Sequence, residues 1–170
     1  MKTRPLLLAL GALLAVSLLA RAGDDKDFSV RIEGHTHTTP VDLGLPAYPG
    51  ASPYSEGQND SGAVTLGAWA GRFGLRVQAL KFRSRDAAPQ VAAFYARALA
   101  QYGTVLDCRE PAAREKPPKD QPDRLSCDSS APKAGQFEYR VGTRKSFRVI
   151  SVRPDGEGSR FDMARIELGS

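Results

Sequence analysis

The chain predicts an α+β fold in which one main helix over residues 86–102 packs on a mostly antiparallel, strongly curved sheet. Three observations carry this expectation. One segment places apolar residues at helical spacing between clear start and stop signals. About eight short segments read as strands, and the last three follow one another through turns as a meander.

The first residues read as an export signal. Lys2 and Arg4 give a short basic start, residues 6–20 form an apolar run without a charge, and Ala20-Arg21-Ala22 before Gly23 is a small-x-small cleavage site. The run of about 15 residues is short of the roughly 20 that a spanning helix needs, so a retained anchor is the weaker alternative. Cleavage after Ala22 leaves no stable membrane span and places the protein in the periplasm or outside the cell. It also leaves 148 residues, a length that fits one domain with a real core. The expected organisation is a signal peptide at 1–22, an extended strap with loops at 23–62, and an α+β domain at 63–170.

Losing Lys2, Arg4 and Arg21 reduces 24 basic residues to 21 against 19 acidic ones, a net charge of about +2. Such a balance gives no argument for a nucleic-acid partner, which would show as a clustered basic excess. Cys108 and Cys127 are the only cysteines, and after export a paired disulfide is the expected state. Neither a C-x-x-C spacing nor a nearby histidine supports a metal pair or a reactive thiol.

Along the chain, residues 28–33 alternate Phe28, Val30 and Ile32 with polar neighbours, as a strand does. Pro46 and Pro49 then stiffen residues 43–51 into a non-helical strap that Leu43, Leu45 and Tyr48 would pin down. Residues 64–70 and 73–83 read as a hairpin around Gly71-Arg72. In its second arm Phe73, Leu75, Val77 and Ala79 share one face while Leu80 and Phe82 fall on the other. Either a bulge shifts the phase there or both faces are partly covered.

The helix is expected to start at Asp86 as N-cap, to carry Pro89 in its first turn and to stop at Gly103. Val91, Phe94, Tyr95, Ala98, Leu99 and Tyr102 form its apolar stripe. Residues 104–108 and 124–128 read as short strands at the base of a mobile tongue, 110–123. Four prolines and seven charges there cannot build a core. The meander comprises 137–141, 147–153 and 161–168, with turns at 142–145 and 154–159.

Candidate sites are few. His35 and His37, two apart, would face the same way on an extended segment and could chelate a metal, but a third ligand would have to fold back from Glu33 or Asp42. A hydrolase triad would need one of the same histidines, and no Gly-x-Ser-x-Gly elbow is present. Residues 155–162 are superficially similar to a calcium loop but lack its acidic spacing. No phosphate-binding or dinucleotide loop occurs, and no cofactor is expected. Tyr48, Tyr54 and Trp69 could offer an apolar platform to a sugar, rimmed by Ser52, Gln58 and Asn59. Arg140, Arg144, Lys145, Arg148, Arg153, Arg160 and Arg165 either gather into an anion-binding face or pair across strands with the interspersed acids.

Residues 45–51, Leu-Pro-Ala-Tyr-Pro-Gly-Ala, followed by the Phe94-Tyr95 helix and Cys108, resemble small exported bacterial proteins of unknown function. The resemblance spans residues 43–108 and implies a bacterial envelope protein with an α+β domain; it brings no catalytic residues. The sequence therefore points to a non-enzymatic exported module that binds an envelope protein or glycan. The alternatives are a binder of glycans or anionic lipids through the arginine-rich strands, and a metal-dependent hydrolase centred on His35 and His37.

Overall fold

The computed structural model describes residues 28–33, 38–57, 60–70 and 73–169, with side chains placed in all of these except 28–33, 69 and 70. The export signal and both histidines lie outside the described residues.

Eight strands form one antiparallel sheet: β1 Phe28–Glu33, β2 Ser52–Pro53, β3 Ala63–Ala70, β4 Phe73–Ser84, β5 Leu106–Asp107, β6 Phe137–Thr143, β7 Ser146–Asp155 and β8 Gly158–Gly169. Their order is β1-β3-β4-β8-β7-β6-β5, with β2 pairing beside β4. Among the described residues no pairing joins β1 to β5, so the sheet is open. The fold is α+β, and the single α-helix, α1 (Ala88–Leu99), lies across β6, β7 and β8.

Helix and sheet meet through alternation of two periods. Val91, Tyr95 and Leu99 recur on one side of α1, and they bury against Tyr139, Val141, Ile150, Val152, Phe161 and Met163, which alternate along β6 to β8. The last expected turn of the helix, Ala100–Tyr102, tightens to a 3-10 turn before Gly103, whose φ of 125° suits a residue without a Cβ. Asp86 is not the N-cap. That position is Ala87, and Asp86 instead accepts a hydrogen bond from Tyr48 Oη at 2.6 Å.

The strap lies on the same layer as the helix. After a 3-10 turn at Pro40–Leu43, Leu43 and Leu45 are buried in the main core, and Tyr48 packs edge-on to Phe94 and Phe161. Burial, and then the hydrogen bond and charge of Asp86, push the Tyr48 hydroxyl pKa up to about 12. The folded protein thus holds this proton more tightly than the unfolded chain, whose tyrosines titrate near about 10. Stability is intact below that value and is lost as pH rises toward about 12. Thermal unfolding followed into strongly alkaline solution should decline less steeply in Tyr48→Phe than in the parent; equal slopes would remove Tyr48 from the account. Tyr95, also raised by burial, keeps some slope in both.

Three expectations change. Residues 124–128 are not a strand, because only Arg124 bridges, to Thr143. The tongue is not without a core: a 3-10 turn at Pro111–Arg114 seats Ala113 against the Cys108–Cys127 disulfide and Leu106. The meander turns shrink to Arg144-Lys145 and Gly156-Glu157, since the pairing runs unbroken to Thr143–Ser146 and to Asp155–Gly158.

The phase question in β4 is resolved by its register. Pairing with β3 and β8 is continuous from Phe73 to Leu80 and from Gly74 to Ser84, so no bulge intervenes. Leu80 and Phe82 face the helix layer and join its core. The other apolar stripe faces away from that layer.

Candidate functional site

A groove of about 540 Å³ lies where the tongue folds back over the β6–β7 hairpin. Pro117, Pro118, Pro122, Leu125 and Phe147 supply apolar walls, and Lys116, Lys119, Arg124, Arg140 and Arg144 also line it, with no carboxylate among the lining residues. Five cations over proline and phenylalanine surface suit a ligand with acidic groups on a partly apolar body.

The disulfide makes this arrangement local. Cys108 follows β5 and its amide bonds to the Glu138 carbonyl at 2.9 Å, while the Cys127 amide bonds to the Ala113 carbonyl at 2.8 Å. Both ends of the tongue are thereby tied to the sheet edge. Arg140 is the strut between tongue and sheet. Only 13% of its side chain is exposed, and it donates to Glu138, to the Ser126 carbonyl and, through both terminal nitrogens, to Asp128. Burial opposes its charge, but the hydrogen bonds of Asp128 and Glu138 outweigh it and raise its pKa. Arg124, Lys119 and Lys116 are exposed, and no salt bridge of the described residues includes them or Arg144.

The residues singled out in the sequence do not converge. Arg140 lies in the groove. Arg148 lies on the opposite layer, where its Nε donates to the Leu43 carbonyl at 2.7 Å and its guanidinium stacks 3.6 Å from the Tyr102 ring centroid. Desolvation lowers its pKa, and its role is to clasp the strap. Tyr48 serves the same strap, while the side chain of Trp69 lies outside the described residues.

The remaining basic residues of the meander pair with acids. Arg153 bonds Asp162 at 2.8 Å and Glu56 at 3.3 Å, and Arg160 bonds Glu56 at 3.2 Å and the Tyr54 hydroxyl at 2.7 Å. Tyr54 sits between the guanidiniums of Arg83 and Arg160. It is thus a packing partner within a charge network and is not part of an aromatic platform with Tyr48, which lies in the helix layer. Among the described residues no group of three or more His, Cys, Asp or Glu is arranged to hold a metal, and no helix is long and apolar enough to cross a membrane.

Sequence reasoning missed Lys116, Lys119 and Arg124 as partners of Arg140. The available signal was the Lys-Pro-Pro-Lys run between two cysteines, which obliges the tongue to return to the strands beside it. No family model, curated protein or solved structure matches this chain.

Proposed function

We propose that this is a non-enzymatic binding module, exported to the periplasm or beyond by a signal cleaved after Ala22, which holds an acidic ligand in the groove beneath its disulfide-closed tongue. The observation that carries this reading is the convergence of five cations on one apolar-walled groove with no carboxylate in its lining. The disulfide suits an oxidising compartment, and the resemblance of the strap and helix to small exported bacterial proteins agrees with export. An acidic glycan is the ligand class favoured, because sugar rings pack on Pro117, Pro118 and Phe147 while their carboxylates meet the lysine and arginine heads.

Calorimetric titration with an acidic oligosaccharide such as oligogalacturonate should show binding that weakens as salt is raised. Neutralising Lys119→Gln with Arg124→Gln should weaken it about fivefold, the size expected for exposed charges worth roughly 1 kcal/mol in total. Binding that ignores salt, or an unchanged double variant, would overturn the assignment. Intact mass of the exported protein tests the address, with a chain starting at Gly23 as the expected product.

A further inference from the structure

Four of the five exposed large apolar side chains among the described residues sit on one face at one end of the sheet. Leu66 is 39% exposed, Phe73 65%, Leu75 40% and Leu168 42%. Register places them together: Leu75 lies opposite both Ala68 and Leu168, and Leu66 lies opposite Val77, which in turn lies opposite Ile166. This is the face turned away from α1 and the strap; the tongue reaches it over β6 and β7, and Tyr54, Glu56 and Asp60 reach its far end, while the described residues place no strand or helix over Leu66, Phe73, Leu75 and Leu168.

The apolar face has a neighbour rich in cations. The row Leu66–Val77–Ile166 ends at Phe147, which lines the basic groove. Arg144 and Lys145 form the β6–β7 turn, and the Leu168 amide bonds to the Lys145 carbonyl at 2.7 Å, so these cations stand beside the exposed apolar end. Asp123 stands beside this turn, its Oδ1 4.0 Å from Lys145 Nζ, while Glu138 and Asp162 lie further along the strands and are paired with Arg140 and Arg153.

We infer that this end of the sheet docks on an anionic phospholipid bilayer, with Phe73, Leu75 and Leu168 entering the headgroup boundary and Arg144 and Lys145 meeting lipid phosphates. Apolar side chains beside cations bind such a surface through both burial and charge. Charge complementarity selects this occupant over a second copy of the chain, which would bring the same cations together. Arg144 lines the groove as well, but Phe73, Leu75 and Leu168 do not, so their role stands apart from the glycan reading.

The test is co-sedimentation of the exported protein with vesicles of phosphatidylcholine alone and of phosphatidylcholine mixed with phosphatidylglycerol. Binding is expected on the mixed vesicles, roughly fivefold weaker for each of Arg144→Gln and Lys145→Gln. The Phe73→Ser/Leu75→Ser variant should lose about tenfold or more while melting within a few degrees of the parent. Val41→Ser, which changes the fifth exposed apolar residue on the other layer, should leave binding intact and serves as the control. Leu168→Asn repeats the measurement should the double variant fold poorly. Absence of binding to the mixed vesicles overturns the inference, as does binding that survives loss of Phe73 and Leu75. A lipid-free dimer in analytical ultracentrifugation, abolished by the same variant, would instead assign the face to a second copy. Oligogalacturonate binding retained by Phe73→Ser/Leu75→Ser keeps this result separate from the groove.

Discussion

Phe161→Ala should be the most damaging single truncation in the molecule, costing about 3–5 kcal/mol, the range for a fully buried phenylalanine cut to alanine. Phe161 is 0% exposed in β8 and touches sheet, helix and strap at once. Its ring stacks on Phe82 at 5.4 Å, lies 5.4 Å from Tyr95 of the helix and meets Tyr48 of the strap edge-on at 6.1 Å. Refilling the cavity with Tyr48 would break its bond to Asp86. Against a total of about 5–15 kcal/mol this is a large share, and the melting temperature should fall by about 10 °C or more. Urea unfolding of parent and variant checks the value. A loss under about 1 kcal/mol would mean that strap and helix do not share one core with the sheet.

Removing the disulfide by Cys108→Ser with Cys127→Ser should cost about 3 kcal/mol, the chain-entropy value for a loop of this length; the sequence separation is 19. The effect has a second, local part. Ala113 and Leu106 pack on the cystine, and the Cys127 amide holds the Ala113 carbonyl, so the tongue loses its own small core as well as its cross-link. Arg140 continues to hold the Ser126 carbonyl and Asp128, which keeps the return arm near β6. The double variant should therefore remain folded, melt several degrees lower, be cut faster by trypsin after Lys119 and Arg124, and bind oligogalacturonate less tightly. Melting with and without reductant, and the rate of tongue cleavage, measure both parts. Equal melting temperatures in parent and variant would show that the bond does not constrain the unfolded chain.

The helix and six of the strands were legible because each repeats its apolar residues at its own period over a long enough stretch. Phe137, Tyr139 and Val141, or Val91, Tyr95 and Leu99, declare which face is buried without reference to any partner. Asp86 misled because an N-cap preference is a weak local effect of about 1 kcal/mol, and a tyrosine from the strap, 38 positions away, competes for the same carboxylate. Residues 124–128 misled for the opposite reason. An alternating pattern says nothing about whether a neighbouring strand has a free edge, and here a single bridge to Thr143 is all that forms.

The candidate site was less legible than the fold. Arg140 and Arg148 carry the same charge eight positions apart, yet one braces the tongue and the other clasps the strap, because β6 and β7 present them to opposite layers. The sequence by itself determined the α+β class, the cysteine pair, the strap's anchors and the absence of any recognisable catalytic motif, since these depend on local periodicity, composition and residue type. Only the tertiary structure decided which charges are spent on each other and which converge unpaired, and which of two apolar stripes in β4 is left without cover. Those outcomes depend on distances between residues far apart in the chain, which side-chain identity does not encode until the strands are placed in register.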